Sequence, residues 1–99
     1  MTLSKLVTSN DFVLADFYAD WCEPCKWVEP IVDGVIRNFS GKIILQKIDI
    51  DKQPDTAREH HILSVPTLVL FKNGKEVWRM RGFDTMPALI KIFEHFVVD

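Results

Sequence analysis

Cys22 and Cys25 are the only cysteines in the chain, and they lie two residues apart in the run Trp21-Cys22-Glu23-Pro24-Cys25-Lys26. Two thiols at this spacing can close a small disulfide ring across the first turn of a helix. The sulfur nearer the helix N-terminus then meets unpaired backbone N–H groups and the positive end of the helix dipole. Both favour thiolate over thiol, and thiolate is the nucleophile of disulfide exchange. Redox chemistry is therefore the leading reading. The ring closes so little chain that it removes little entropy from the unfolded state, so the pair makes a poor staple. Its other use would be half of a zinc site, which needs four ligands. The remaining candidates are carboxylates and His60, His61 and His95. The first two histidines are adjacent and lack ligand spacing, all three read as surface or helix-end residues, and no metal is expected. Asp49, Asp51 and Asp55 read as a solvated loop or helix cap, because a calcium loop needs a more regular ligand pattern.

The elements that must position these thiols follow from hydrophobic periodicity. Residues 12–18 are β-rich and nearly all apolar, as in a strand buried on both faces. The exception is Asp16. Burial would raise its pKa; an edge position or a bulge would instead leave it in solvent. After the cysteines, Trp27, Val28, Ile31, Val32, Val35, Ile36 and Phe39 recur at helical spacing, giving a helix from residue 22 or 24 to residue 39. Pro30 should kink it, and Ser40-Gly41 ends it. Trp27 is expected to fill the core.

Residues 43–48 form a second strand, residues 55–60 a short helix, and residues 67–71 a third strand. Asn73-Gly74 is a hairpin signal whose return strand is 77–81. Asp84 or Thr85 can cap a last helix with Pro87 in its first turn. A crossover through a helix implies a parallel strand pair, and the hairpin adds an antiparallel one. The expected fold is α/β, a mixed central sheet with helices on both faces. Ligand sites in such sheets gather beyond the carboxyl ends of strands, which is where Trp21 to Cys25 fall.

Length and composition narrow the classes. Ninety-nine residues fit one domain, 1–99; 47% are hydrophobic and 26% charged, as in a globular protein with a core. A net charge of −2 offers no basic surface for nucleic acid. No apolar run approaches the roughly 20 residues of a membrane span. Near the N-terminus, Lys5 is followed by Thr8-Ser9-Asn10-Asp11, which interrupts any leader-like apolar segment. A cytoplasmic location is expected.

Asp16 to Lys26, Pro30, Val65-Pro66-Thr67, Phe71-Lys72-Asn73-Gly74 and Gly82, taken together and in this order, resemble the thioredoxin family. Residues 16–26 follow the family's active-site segment, usually WCGPCK at its core. Val65-Pro66-Thr67 matches the segment that carries a cis-proline, Phe71-Lys72-Asn73-Gly74 the hairpin after it, Gly82 the glycine beside the active site, and Pro30 the kink in the active-site helix. These motifs run in order from Val13 to Val97. Two departures stand out. Only 20 residues precede Trp21, so the family's first strand and helix look truncated; one helical turn is expected at residues 3–8. The sheet then has four strands, five if the first survives, and the 43–48 strand lies at its edge. Glu23 stands where the family usually has glycine.

The resemblance implies roles. Cys22, nearer the helix N-terminus and expected to be the more exposed sulfur, would attack. Cys25 would resolve the mixed disulfide. Asp16 would lie under Cys25 as its proton acceptor, through water, with Lys47 on the neighbouring strand pairing with this acid. Pro66 would be cis and face the disulfide, with Val65 offering backbone to a substrate strand; alone, it could be an ordinary turn proline. Trp21 would be an exposed docking wall. Gly82 would admit a partner backbone, although it could equally be a strand-end glycine.

Glu23 places a negative charge in the ring, opposes the Cys22 thiolate and so favours the disulfide form, partly offset by Lys26 and Arg81. The Glu23-Pro24 pair thus argues for a reductant over a strong oxidant. The resemblance implies a thiol–disulfide oxidoreductase that reduces protein disulfides, has no bound cofactor and is recharged by an NADPH-dependent thioredoxin reductase; a monomer is expected. A disulfide oxidase or isomerase is one alternative, and a thioredoxin-fold binding module without turnover is another. Such modules often lose a cysteine, and this chain keeps both.

Overall fold

The computed structural model describes residues 2–97. The elements run α1 (Leu3–Ser9), β1 (Phe12–Tyr18), α2 (Glu23–Asn38), β2 (Ile44–Asp49), α3 (Pro54–Glu59), β3 (Thr67–Lys72), β4 (Lys75–Arg81) and α4 (Met86–Phe96). Each expected element is present, with the boundaries given for it met within one residue, except that β4 begins at Lys75, two residues before the expected Val77. The N-terminal helix also exceeds the single turn expected, and Thr2 caps it by accepting a hydrogen bond from the Lys5 N–H. Among the described residues no strand precedes Phe12, so the sheet has four strands. Among them, too, no helix is long and apolar enough to cross a membrane.

The sheet order is β2-β1-β3-β4, with β1 parallel to β2 and antiparallel to β3, and β3 antiparallel to β4. The edge position expected for β2 is observed. At the β3–β4 hairpin, Asn73 and Gly74 both have positive φ, 51° and 85°. This is the backbone that a two-residue turn needs to match strand twist.

β1 explains why the sequence looks apolar without alternating. Its side chains point alternately to the two faces, and both faces are covered. Phe12 and Leu14 join a core with Val28 and Val32 of α2 and Leu89 and Phe93 of α4. Val13, Ala15 and Phe17 face the other way, onto Leu3 and Val7 of α1. Phe93 is fully buried between the rings of Phe39 and Trp78; burying one side chain of this kind contributes roughly 1.5–3 kcal/mol. By the same alternation Asp16 shares the Leu14 face, beneath α2, and is 4% exposed. The solvent-facing alternative for Asp16 is excluded.

α2 runs unbroken across Pro30. Its buried stripe is Cys25, Val28, Val32, Gly34 and Val35. Trp27 corrects the reading that placed it in the core: it is 58% exposed. One helical residue is a rotation of about 100°, so burying Val28 turns its neighbour toward solvent. There Trp27 packs edge-on against Phe83, ring centroids 6.4 Å apart. At α4, Thr85 is the cap, accepting from the Ala88 N–H, while Asp84 Oδ1 accepts from the Thr85 N–H.

Candidate active site

β1 delivers the chain to the end of the sheet, and a tight turn follows in which the Cys22 N–H donates to the Ala19 carbonyl at 3.1 Å. Cys22 is the N-cap of α2, with extended backbone, and its Sγ accepts from the Cys25 N–H at 3.3 Å. Pro24 sits in the first turn, where its missing N–H is no loss. Cys22 and Cys25 are joined by a disulfide, Cα atoms 5.4 Å apart. The two residues are almost equally covered, 5% and 7% exposed, so the expected contrast in exposure is absent. Ala19, Tyr18, Ile50 and Val65 pack around them. Among the described residues, no three His, Cys, Asp or Glu side chains gather as a metal site.

Three of the candidate residues meet across this end of the sheet. The Val65–Pro66 bond is cis, Pro66 is buried, and its carbonyl accepts from the Gly82 N–H at 2.7 Å. The loop before it is tied by Thr67 Oγ1 donating to the Ser64 carbonyl at 2.7 Å. Gly82 has φ of +100°, and a Cβ there would meet nothing within 4 Å. Glycine is thus needed for its backbone, not for lack of space. Gly82→Ala is expected to destabilise the protein by about 1–2 kcal/mol in urea unfolding, with the fold retained.

Trp21 is 69% exposed, and its Nε1 donates to Asp51 Oδ2 at 2.8 Å. Asp51 is fixed in turn, because its N–H donates to Asp49 Oδ1 at 2.9 Å, as the Lys52 N–H does at 3.3 Å. This corrects the reading of Asp49 as solvated: it is 5% exposed and braces the turn that holds Trp21. The sequence signal was present in Asp49-Ile50-Asp51, spaced for an Asx turn. His60 is a helix-end residue, as expected, with more contact than a surface position would give. It caps α3 but is half-buried, its ring 6.1 Å from that of Phe17 and 5.5 Å from that of Phe71. Glu23 pairs with Lys26 at 3.5 Å, both about two-thirds exposed, so the pair is worth little.

Beside Cys25 lies a pocket of about 340 Å³ lined by Asp16, Tyr18, Cys25, Lys26, Glu29 and Lys47, among others. Asp16 forms its floor, and its Oδ1 is buried without a hydrogen-bond partner. Burial pushes its pKa from 3.8 up to about 6, with Lys47 pulling it down and Glu29 and Asp33 adding to the rise. Lys47 stands opposite Asp16 in the β1–β2 register. Its ion pairs, however, go to Glu29 at 3.3 Å and Asp33 at 3.7 Å, where the sequence reading had given it to Asp16. The arrangement joins a redox-active sulfur pair to a buried base of raised proton affinity.

The family model for thioredoxin matches residues 2–95. The chain belongs to the thioredoxin family. The thioredoxin of Mycobacterium bovis is 40% identical over 88 residues, covering 89% of this chain and 76% of that one. The thioredoxin of Staphylococcus epidermidis is 34% identical over 96 residues, 89% of this chain and 92% of its own length. Among solved structures, a point mutant of Halobacterium salinarum thioredoxin superposes with a TM-score of 0.86 at 37% identity, over 98% of this chain and 86% of that one. The oxidised mitochondrial thioredoxin 3 of Saccharomyces cerevisiae gives 0.84 at 34% identity, over 93% and 85%. This thioredoxin-family chain is a thiol–disulfide oxidoreductase of the protein-disulfide reductase type. Its redox group is its own Cys22–Cys25 disulfide.

Proposed function

We propose that the chain is a general cytoplasmic reductant of protein disulfides, acting as a monomer and recharged by an NADPH-dependent thioredoxin reductase. The observation that carries this reading is the disulfide at the α2 N-terminus, set beside a pocket whose floor is the unpartnered Asp16 oxygen. In the reduced protein, the Cys22 thiolate attacks one sulfur of a substrate disulfide, and the other substrate sulfur leaves with the electron pair. A mixed disulfide results. Cys25 then loses its proton to the Asp16 carboxylate, through water, and attacks Cys22 Sγ. The Cys22–Cys25 bond forms, the bond from Cys22 to substrate breaks, and the second substrate sulfur departs as a thiolate that takes up a proton. Two electrons have passed to the substrate.

The remaining roles belong to the surface around the ring. Val65 and Gly82 offer backbone and Trp21 an apolar wall to an extended substrate segment, with Pro66 fixing the loop that presents them. Glu23, Pro24 and Lys26 tune the thiolate. The cytoplasm is the proposed compartment because thiols there are kept reduced.

The test is the reduction potential of the Cys22–Cys25 couple, by equilibration with glutathione and thiol trapping, together with insulin-disulfide reduction. A potential near about −270 mV with turnover is expected. A value of about −120 to −180 mV would make the protein an oxidant or isomerase. Absence of turnover would make it a binding module.

A further inference from the structure

Lys47 has two sets of carboxylates within its reach and is drawn to one of them. The parallel register places it beside Asp16 on the same sheet face. An ammonium there could neutralise the buried acid directly. Its Nζ instead donates to Glu29 Oε1 at 3.3 Å and lies 3.7 Å from Asp33 Oδ1. Glu29 and Asp33 are four residues apart on α2, hence on one side of that helix. Lys47 is held above its ordinary pKa: burial works against the charge, but the hydrogen bond to Glu29 and the charges of Asp33, Glu29 and Asp16 outweigh it. Asp16 Oδ1 is meanwhile left without a partner.

We propose that Glu29 is a positioning residue for the resolving step: its carboxylate holds the Lys47 ammonium at the pocket rim, away from Asp16, and so sets how strongly the buried acid binds a proton. Glu29 has the stronger claim than Asp33 because it is nearer, makes the hydrogen bond and lines the pocket itself. The groups that face Asp16 are Tyr18 at the end of β1, Asp20 in the turn after it, Cys25, Lys26, Glu29 and Asp33 from α2, and Lys47 from β2. Its register partner on β3 is Leu68, which does not titrate. Removing the Glu29 charge has two effects of the same sign. A negative charge near Asp16 disappears, and Lys47 is freed to approach it. Both favour the carboxylate.

The consequence for rate rests on the reading of Asp16 as proton acceptor, so the test separates the two. Carboxyl NMR of the oxidised full chain follows the Asp16 titration in the unsubstituted protein, Glu29→Gln, Lys47→Met and the double variant. Glu29→Gln is expected to move the Asp16 midpoint down by roughly half a pH unit. In the Lys47→Met background the same substitution should move it by less than half as much. An unmoved midpoint, or an equal shift in both backgrounds, overturns the positioning role. Single-turnover resolution of a mixed disulfide is then timed across pH. Its acid limb should shift with the Asp16 midpoint, and its plateau rate should fall on the order of twofold as the base weakens. A shifted titration with an unshifted rate profile upholds the Glu29–Lys47 link and overturns the acceptor role of Asp16.

Discussion

Cys22→Ser is expected to lower protein-disulfide reduction by at least about a thousandfold, because a hydroxyl cannot replace the thiolate that opens the substrate disulfide. Cys25→Ser should behave differently. It still attacks, but nothing remains to release the substrate, and a mixed disulfide accumulates that non-reducing electrophoresis or intact mass detects. The two cysteines are about equally buried, so exposure does not distinguish them. The distinction rests on place: Cys22 is the cap of α2, where unpaired N–H groups and the dipole meet its sulfur, and Cys25 lies one turn inside. Trapping by Cys22→Ser, with Cys25→Ser inert, would reverse the assignment.

The second large effect is on stability. Asp16 loses its proton near pH 6 when folded and near pH 3.8 when unfolded. Between those values the folded state binds more protons, so stability falls as pH rises through the window and stays at its lower level above it. A displacement of this size corresponds to roughly 3 kcal/mol. Because the side chain is 4% exposed, solvent screening removes little of it. Asp16→Asn deletes the titration. The difference in unfolding free energy between Asp16→Asn and the unsubstituted protein should therefore grow by roughly 3 kcal/mol in favour of the variant from pH 3 to pH 8. Urea unfolding at the two pH values measures it. The same variant should resolve mixed disulfides roughly a hundredfold more slowly. A stabilised variant with undiminished resolution would confine Asp16 to an electrostatic burden without a catalytic return.

The sequence made the architecture legible wherever a local pattern had one structural solution. Asn73-Gly74 demanded a hairpin, the unbroken apolar run at 12–18 demanded cover on both faces, and Thr85 with Pro87 marked a helix start. Order and spacing of the active-site, cis-proline and glycine segments then pointed to the family and marked the candidate site. What escaped depended on how separate elements meet. Trp27 fits the helical apolar pattern as well as Val28 does, and only the docking of α2 on the sheet decides which points inward. Lys47 could be placed beside Asp16 by strand pairing, but its choice of Glu29 and Asp33 depends on where α2 crosses β2. Asp49 looked like one of several loop carboxylates until its turn closed around Asp51 and, through it, Trp21.

β1 is hydrogen-bonded on both sides, to β2 and to β3, and six of its seven residues are buried. Local opening is costliest where buried contacts and paired backbone coincide. The reactive turn is therefore spliced directly onto the strand that should be last to exchange its amide hydrogens with solvent, while the short α1, which buries Leu3 and Val7 and half-buries Leu6, should open early. Fraying at that periphery can come and go without loosening the cysteine pair. The persistence of the reactive geometry is decoupled from the persistence of the fold's margins.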